Sequence, residues 1–164
     1  MTEPLQILTQ DAYSMAYQLL GKREDVLDVL QDAAAVALSH DSAPPRNSDE
    51  FKPWFFKVVR NRALDKLRRM QRFSHEPIQD ETSVASSINE PQMQMEQIEL
   101  KQDISRALSA LKFEQREIVL LKDYHGFNYA EIAEVLDIPQ GSVMSRLHRA
   151  RMALRKILVD SRNN

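Results

Sequence analysis

Apolar residues recur at intervals of three and four along most of the chain, which is the spacing of one buried face of an α-helix. In the first 72 residues this spacing predicts three helices. The first ends at Gly21, the second runs from about Arg23 to Leu38, and the third runs from near Asp49 to about Gln71. The segment from His40 to Asp49 contains two prolines and several turn-forming residues. We therefore predict a loop there.

The same spacing returns after residue 97 and predicts four further helices. Ile98 to Leu111 and Phe113 to Tyr124 are the first two, and Asn128 is the predicted cap of a short third helix. A tight turn from Asp137 to Gly141 leads into the last helix, for which Ser142 is the predicted cap. No run of residues alternates convincingly with a period of two, so the predicted fold class is all-α.

Between the two groups of helices, residues 74–97 are polar, acidic and poor in large apolar side chains. Such a composition cannot bury enough apolar surface to form a core, and it is typical of a linker. We therefore predict two small helical domains, residues 1–73 and residues 98–164, joined by a flexible acidic linker at residues 74–97.

The formal net charge of −2 hides a strong segregation of charge. Residues 51–72 hold eight bases and one acid, and residues 140–164 hold six bases and one acid. By contrast, residues 73–100 hold six acids and no Lys or Arg, and residues 1–50 hold nine acids and three bases. Two basic helices separated by acidic segments indicate two separate contacts with a polyanion.

The composition argues against several kinds of function. The chain contains no cysteine, and its four histidines lie far apart without the spacing of metal ligands. Its three glycines are not clustered into a phosphate-binding loop. No nucleophile is paired with a base, and no two carboxylates share an apolar setting. We therefore expect no enzymatic activity, no cofactor and no bound metal.

The N-terminus lacks the basic start and apolar run of a signal peptide. No apolar run approaches the ~18 residues that cross a bilayer. Together with the absence of cysteine, these features lead us to expect a cytoplasmic protein without membrane insertion.

A short helix, a turn and a second, arginine-rich helix at the end of the chain form the helix-turn-helix pattern, whose second helix enters the major groove of DNA. Val143, Leu147 and Ala150 occupy the inner stripe of this helix. Its outer side and flanks carry Met144, Ser145, Arg146, His148, Arg149, Arg151 and Met152. Arg can bond guanine edges or phosphates. The alternative is a basic amphipathic helix whose arginines are only solvated.

The segment from Leu111 to Leu158 resembles region 4 of bacterial RNA polymerase sigma factors of the extracytoplasmic-function (ECF) group. The motifs that carry the resemblance are Gln115-Arg116-Glu117, Gly126, Glu131-Ile132-Ala133-Glu134 and the run from Gly141 to Arg151. The resemblance implies that the last helix reads the minus-thirty-five promoter element. Within Ser142 to Arg155, the candidate residues for this contact are Ser142, Met144, Ser145, Arg146, His148, Arg149 and Arg151. Met144 departs from the family, which often has Lys or Arg there.

The segment from Phe51 to Arg72 resembles regions 2.3 and 2.4 of the same group, which bind and open the minus-ten element. The matching residues are Phe51, Trp54, Arg60, Asn61, Ala63, Leu64, Asp65, Leu67, Arg68 and Arg69. Helical spacing puts the candidate DNA contacts on one face: Lys57, Arg60, Asn61, Leu64 and Arg68. Trp54 could stack on an unpaired base, although we favour core packing for Trp54 and Phe55.

Gly21 to Ala33 resembles region 2.2, which docks on the β′ clamp helices of core RNA polymerase, and the resemblance adds the β flap as a second contact. The candidate docking residues are Asp25, Asp28 and Asp32. Leu27 stands where the family motif has an acid. The alternative is that these aspartates are the solvated face of an amphipathic helix. The linker either runs through basic channels of the polymerase or is an inert tether.

We interpret the chain as a sigma factor that binds core RNA polymerase, recognises promoter DNA and directs initiation at a specific regulon. Many relatives are held inactive by an anti-sigma factor, which is therefore another candidate partner. Two alternatives remain. A sigma-like decoy would capture an anti-sigma factor without binding DNA, and a stand-alone helix-turn-helix regulator would form a homodimer on a palindrome.

Overall fold

A computed structural model describes the backbone of residues 3–74 and 95–163 and the side chains of residues 8–72 and 95–163. Over these ranges the regular structure is entirely helical, which confirms the all-α prediction. The helices are α1 (Glu3–Leu20), α2 (Arg23–Ser39), α3 (Phe51–Ser74), α4 (Met95–Ala110), α5 (Phe113–Val119), α6 (Tyr129–Leu136) and α7 (Gln140–Arg162). The middle of the predicted linker lies outside the described residues.

Helices α1, α2 and α3 pack against one another as a three-helix bundle. The core side chains that face its centre are largely small or branched on α1 and α2 and aromatic on α3. Ala12 and Ala16 of α1 and Ala33 of α2 are fully buried, and small side chains at such positions allow two helices to approach closely. Gly21 ends α1 with a positive φ of 71°, a conformation that glycine adopts without a steric penalty.

Helices α5, α6 and α7 form the second group, and α4 packs along α7. The buried side chains of α6 and α7 include Ile132, Val135, Val143 and Leu147, which recur at helical spacing. Asn128 caps α6 as predicted. Its Oδ1 accepts from the Glu131 amide at 2.8 Å, while the Glu131 carboxylate accepts from the Asn128 amide at 2.9 Å.

The start of α7 differs from the sequence prediction. The helix begins at Gln140 with Pro139 as the N-cap, so Ser142 lies inside the first turn and does not cap it. The reason is the preceding turn, in which Asp137 adopts a left-handed conformation with φ 55° and Pro139 has φ −60°. The fixed φ of proline suits the entry to a helix, where its missing N–H is not needed, so the N-cap falls three residues before the predicted one. The Ser142 amide instead donates to the Pro139 carbonyl at 3.0 Å.

Other helix ends also differ from their predicted positions. The segment Phe113 to Tyr124 is not uniform, because its last turn, Leu120–Tyr124, is a π-helix. Such a turn widens the helix by one residue and redirects the chain at its end. Helix α3 continues to Ser74, and α4 begins at Met95, inside the segment predicted as a linker.

The two helical groups are in direct contact, which the sequence did not predict. Helix α3 packs on α6, and the apolar core is continuous across the contact. Phe56 of α3 meets Phe127 edge to face at 4.9 Å between ring centroids, and it meets His125 at 5.0 Å. The Lys52 ammonium lies 5.4 Å from the centre of the Phe127 ring. We call Phe56, His125 and Phe127 the aromatic contact.

Burial, reinforced by the positive charge of Lys52, lowers the pKa of the His125 imidazole to about 4. Lys52 of α3 is the charged residue that affects this ring, and Glu117 of α5 lines a small cavity together with it. Because the pKa in the folded chain is below the ordinary 6.5, the unfolded chain binds more protons between these two values. The free energy of unfolding contributed by His125 is therefore retained above pH 6.5 and decreases as the pH falls.

We predict that lowering the pH from 7.5 to 5.5 reduces the free energy of unfolding by ~1 kcal/mol through His125 alone. Urea unfolding of the wild type and of His125→Asn at both pH values measures this, since the variant lacks the titrating ring. This pH window lies above the range in which carboxyl groups usually titrate. If the wild type and the variant lose equal stability, His125 does not titrate as described.

Candidate nucleic-acid interface

Helix α7 presents a polar and basic surface to solvent because its other face is committed to the core. Val143, Leu147 and Ala150 are buried against α5 and α6. The residues predicted to read DNA lie on the opposite side. Met144, Ser145, Arg146, His148 and Arg149 are exposed, and Ser142 is partly buried. Met144 is 61% exposed, which is high for a large apolar side chain and leaves it available to a ligand.

Arg151, another predicted DNA contact, is already engaged within the protein. Its guanidinium forms two bonds with the Asp123 carboxylate, from Nε to Oδ2 at 3.1 Å and from Nη2 to Oδ1 at 2.5 Å. Such a forked pair fixes orientation as well as contributing attraction. Asp123 belongs to the π-helical turn after α5. Arg151 therefore ties the middle of α7 to that turn, a positioning role that sequence spacing alone did not reveal.

The predicted minus-ten face on α3 is only partly open. Asn61 and Arg68 are exposed, whereas Lys57 and Leu64 are half-buried. Arg68 also lies 3.5 Å from Asp65 of its own helix. Such an exposed pair contributes little and is readily exchanged for another anion.

The aromatic residues at the start of α3 pack into the core, fully or in part. Phe55 is fully buried, as predicted, and Phe56 is buried in the aromatic contact. Trp54 is half-buried, and its ring centroid lies 5.8 Å from that of Phe51. Trp54 thus retains one partly open side, while Phe55 has no surface left for a base.

Arg60 lies between the two helical groups rather than in solvent. Its Nε is 2.5 Å from Oε1 of Glu117 and its Nη2 is 3.3 Å from Oε2. The Arg60 side chain is 17% exposed and that of Glu117 is 5% exposed. We call this contact the interdomain ion pair. Burial raises the pKa of the Glu117 carboxyl, and the Arg60 guanidinium acts in the opposite direction.

Sequence reasoning did not identify Glu117 as a functional residue. A signal was nevertheless present, because Glu117 directly precedes an apolar run of four residues from Ile118 to Leu121. An acid in such a setting is rarely buried unless it is paired. The identity of its partner could not be read from the chain, since Arg60 is 57 residues away.

A groove at the contact between the two helical groups is lined by residues from both sets of predicted DNA contacts. It is lined by residues of α3, α5 and α7 and of the α4–α5 connection, among them Arg60, Lys112, Gln115, Glu117, Arg146 and Arg149. Cations outnumber acids along its wall, so the groove favours an anionic ligand. The structure therefore brings one residue of the minus-ten set together with two of the minus-thirty-five set.

The predicted docking aspartates lie on α2 next to a lysine of α3. Lys66 Nζ is 3.4 Å from Asp25 and 3.2 Å from Asp28. Asp28 remains well exposed despite this bond, and Asp32 is exposed one turn further along. Leu27 is 46% exposed on the same helix. The surface is therefore acidic with an apolar side chain in it, and Lys66 offsets part of its negative charge.

Neither a metal site nor a membrane span is found in the part of the chain that the structure describes. Within residues 3–74 and 95–163, no three His, Asp or Glu side chains are grouped to hold a metal ion. None of the described helices is both long enough and apolar enough to cross a membrane.

The chain matches two protein-family models, one in each helical group. Residues 7–73 match Sigma-70 region 2, and residues 101–154 match Sigma-70 region 4.

Among curated proteins, the chain is 32% identical over 148 residues to the ECF RNA polymerase sigma factor SigE of Mycolicibacterium smegmatis. It is 35% identical over 136 residues to the ECF sigma factor SigM of Mycobacterium tuberculosis. These alignments cover 89% and 82% of this chain but only 56% and 65% of the relatives' own lengths. The ECF sigma-E factor of Escherichia coli K12 is 32% identical over 139 residues, with 79% of this chain and 72% of the relative covered.

Solved structures share the fold. The sigma factor RpoE from Bartonella quintana, solved in complex with the anti-sigma factor NepR, superposes with a TM-score of 0.71 over 94% of this chain and 93% of that chain, at 24% identity. CnrH, solved in complex with the cytosolic domain of CnrY, gives a TM-score of 0.55 over 92% of this chain and 82% of that chain, at 24% identity. With both regions present and a relative more than 30% identical over most of its length, the chain belongs to the ECF family of RNA polymerase sigma factors.

Proposed function

We propose that the chain binds core RNA polymerase and directs it to promoters, with residues 1–73 and 98–164 as separate functional domains and residues 74–97 as their connection. The observation that carries this proposal is the presence of two basic faces, on α3 and α7, in two different helical groups of one chain. A single basic face would be expected of any DNA-binding protein. Two faces joined by a long connection fit the reading of two separated elements.

In this proposal, the outer face of α7 enters the major groove at the minus-thirty-five element. Arg146 and Arg149 can each fork onto a guanine edge or a phosphate, and Ser145 and His148 add single hydrogen bonds. Met144 offers an exposed apolar group, which matches a thymine methyl better than a phosphate. Arg151 positions the helix through Asp123 and also adds positive charge near the backbone.

The α3 face would act at the minus-ten element, where the duplex opens. Extracting a base from the stack costs a few kcal/mol, which phosphate and base contacts must offset. Asn61 has both donors and acceptors for a base edge, and Lys57 and Arg68 carry charge for the backbone. Trp54 has one partly open side at the start of this helix. Arg60 could contribute only after it leaves Glu117.

The acidic surface of α2 would dock on the β′ clamp helices, with region 4 contacting the β flap. Asp28 and Asp32 are the most accessible of the predicted acids. An exposed ion pair contributes only ~0.2–1 kcal/mol, so docking cannot rest on one of them. The exposed Leu27 supplies apolar area where an acid is missing. Lys66 forms ion pairs with Asp25 and Asp28, and its positive charge weakens their electrostatic attraction to a basic partner.

The chain would have no enzymatic activity of its own, because promoter opening draws on binding energy while the polymerase performs the chemistry. We propose that it needs no cofactor and works in the cytoplasm, where the polymerase and the promoter are found. An anti-sigma factor is a further proposed partner. The RpoE relative, which shares the fold, was solved bound to one.

The decoy alternative receives some support from Leu27, which reduces the acidity of the docking surface. A decoy would not need DNA-reading residues, however, and those of α7 are exposed. A stand-alone regulator would not need the acidic and basic surfaces of the first domain. The sigma-factor function accounts for both helical groups and is therefore preferred.

Reconstitution with bacterial core RNA polymerase tests the proposal directly. The purified chain is mixed with core enzyme, and run-off transcription is measured on a library of genomic fragments. We expect complex formation and a small set of specific transcripts. A folded chain that never binds core enzyme, while it still binds an anti-sigma factor, would establish the decoy instead.

For the α7 face, we predict that Arg149→Ala weakens holoenzyme binding to a promoter selected in that experiment by about tenfold. The slope of log affinity against log salt should also fall by about one if the lost contact is a phosphate. Arg162→Ala removes the same charge from the far end of α7 and serves as the matched control. Equal losses in the two variants would mean that only net charge matters.

For the α3 face, Asn61→Ala should impair opening rather than initial binding. We expect about tenfold less permanganate-reactive thymine in the minus-ten region, because a base-edge contact of about 1 kcal/mol or more is lost. Protection of the minus-thirty-five element in the same footprint is the internal control and should be unchanged. Normal thymine reactivity in the variant would remove Asn61 from the interface.

A further inference from the structure

We propose that the arrangement seen here is a self-inhibited form of the sigma factor, in which the Glu117 carboxylate holds Arg60 in place of DNA. The inference rests on the proposed function, since it concerns how the DNA faces are controlled. Two sets of contacts hold the two helical groups together: the interdomain ion pair and the aromatic contact. We call this arrangement the closed form. Promoter reading then requires the two domains to separate.

The spacing of promoter elements makes the closed form incompatible with reading both. Elements centred near minus ten and minus thirty-five are roughly 25 base pairs apart, which is about 85 Å of B-DNA at 3.4 Å per base pair. In the structure, Arg60 of the first face lines the same groove as Arg146 and Arg149 of the second. Residues that share one groove cannot contact sites so far apart. The domains therefore move apart before both faces engage.

The connection between the domains is long enough for this movement. Residues 75–94 comprise 20 residues between the end of α3 and the start of α4. A chain of that length can span up to about 70 Å when extended. The dimensions of the two domains add to that reach. Separation therefore needs no unfolding of either helical group.

Glu117 occupies the position that an anionic group of DNA would take on Arg60. The guanidinium fork accepts a carboxylate or a phosphate with the same geometry. Both described bonds of the Arg60 guanidinium go to Glu117, and its side chain is largely shielded from solvent. DNA and Glu117 therefore compete for one cation. A chain in the closed form contributes no Arg60 contact to the minus-ten element.

The forces that hold the closed form are suited to a reversible contact. Separating the domains returns both charges of the interdomain ion pair to water, which compensates much of the lost attraction. Separation exposes Phe56 and Phe127, which are buried in the aromatic contact, but it leaves the other buried side chains of each helical group packed. Lys52 adds a cation over the Phe127 ring. Opening is thus much less costly than unfolding.

The test measures the distance between the domains in the free, full-length chain. Because the protein has no cysteine, cysteines introduced at the exposed positions Gln31 and Lys156 can carry nitroxide labels without background. Pulsed electron paramagnetic resonance then reports the distance distribution. We expect a single short population for the wild type. We expect Glu117→Gln to transfer a large fraction of it to longer distances.

The matched control is Glu114→Gln, the same substitution one turn earlier on the same helix. Glu114 is exposed and lines the same groove, but it is not part of the interdomain ion pair. Its distance distribution should equal that of the wild type. Lys52→Gln is a second opening variant that leaves both cores intact. It should shift the distribution in the same direction as Glu117→Gln, but less.

Binding of a fluorescein-labelled 20-nucleotide single-stranded DNA of mixed sequence is measured on the same proteins. Apparent affinity scales with the open fraction, so Glu117→Gln should bind about three- to tenfold more tightly than the wild type. Unchanged distances in both Glu117→Gln and Lys52→Gln, with unchanged DNA affinity, would overturn the proposed self-inhibition. Greater distances with tighter DNA binding would support it.

The two proposals fail separately. If the reconstituted chain directs transcription while the distances do not respond to Glu117→Gln, the sigma-factor function stands and the proposed self-inhibition is wrong. If the distances respond but no polymerase complex forms, the closed form stands as a property of the fold and the proposed function is wrong.

Discussion

The constraint on which the arrangement depends is the need to neutralise a carboxylate that has been removed from water. The Glu117 side chain is 5% exposed, and an isolated charge at that depth would be strongly disfavoured. Its partner is Arg60, on a helix of the other domain. The two helical groups are therefore held in one relative position by this bond as well as by their continuous apolar core. In the closed form that we propose, the same bond also withholds Arg60 from the predicted minus-ten face.

Much of the fold could be predicted because each helix buries a stripe of apolar side chains. Val143, Leu147 and Ala150 identify the inner side of α7, and by exclusion they identify the outer side that faces solvent. The Asn128 cap could also be predicted, since its signal is local and includes Glu131 three residues later. The predicted Ser142 cap was wrong because a second local signal, proline after a left-handed Asp137, starts the helix earlier.

The features that could not be predicted are those that join distant parts of the chain. The periodicity of apolar residues predicts that Phe56 is buried, but it does not say whether its partners belong to its own helical group or to the other one. The aromatic contact therefore could not be predicted. Lys66 and Arg151 both belong to basic helices, and both are bonded to acids on other elements, pairs that the sequence did not identify. A pattern of charge indicates which faces are polar. It does not indicate which opposite charge lies nearby.

The groove between the domains has a consequence for any third component that enters it. A ligand that binds only the closed form stabilises that form, and DNA that engages Arg60 stabilises the open one. Thermodynamic linkage then requires reciprocity: the factor by which such a ligand weakens promoter binding equals the factor by which promoter DNA weakens the ligand. Repression by a groove-binding partner and its release at a strong promoter would thus be two aspects of a single coupling free energy.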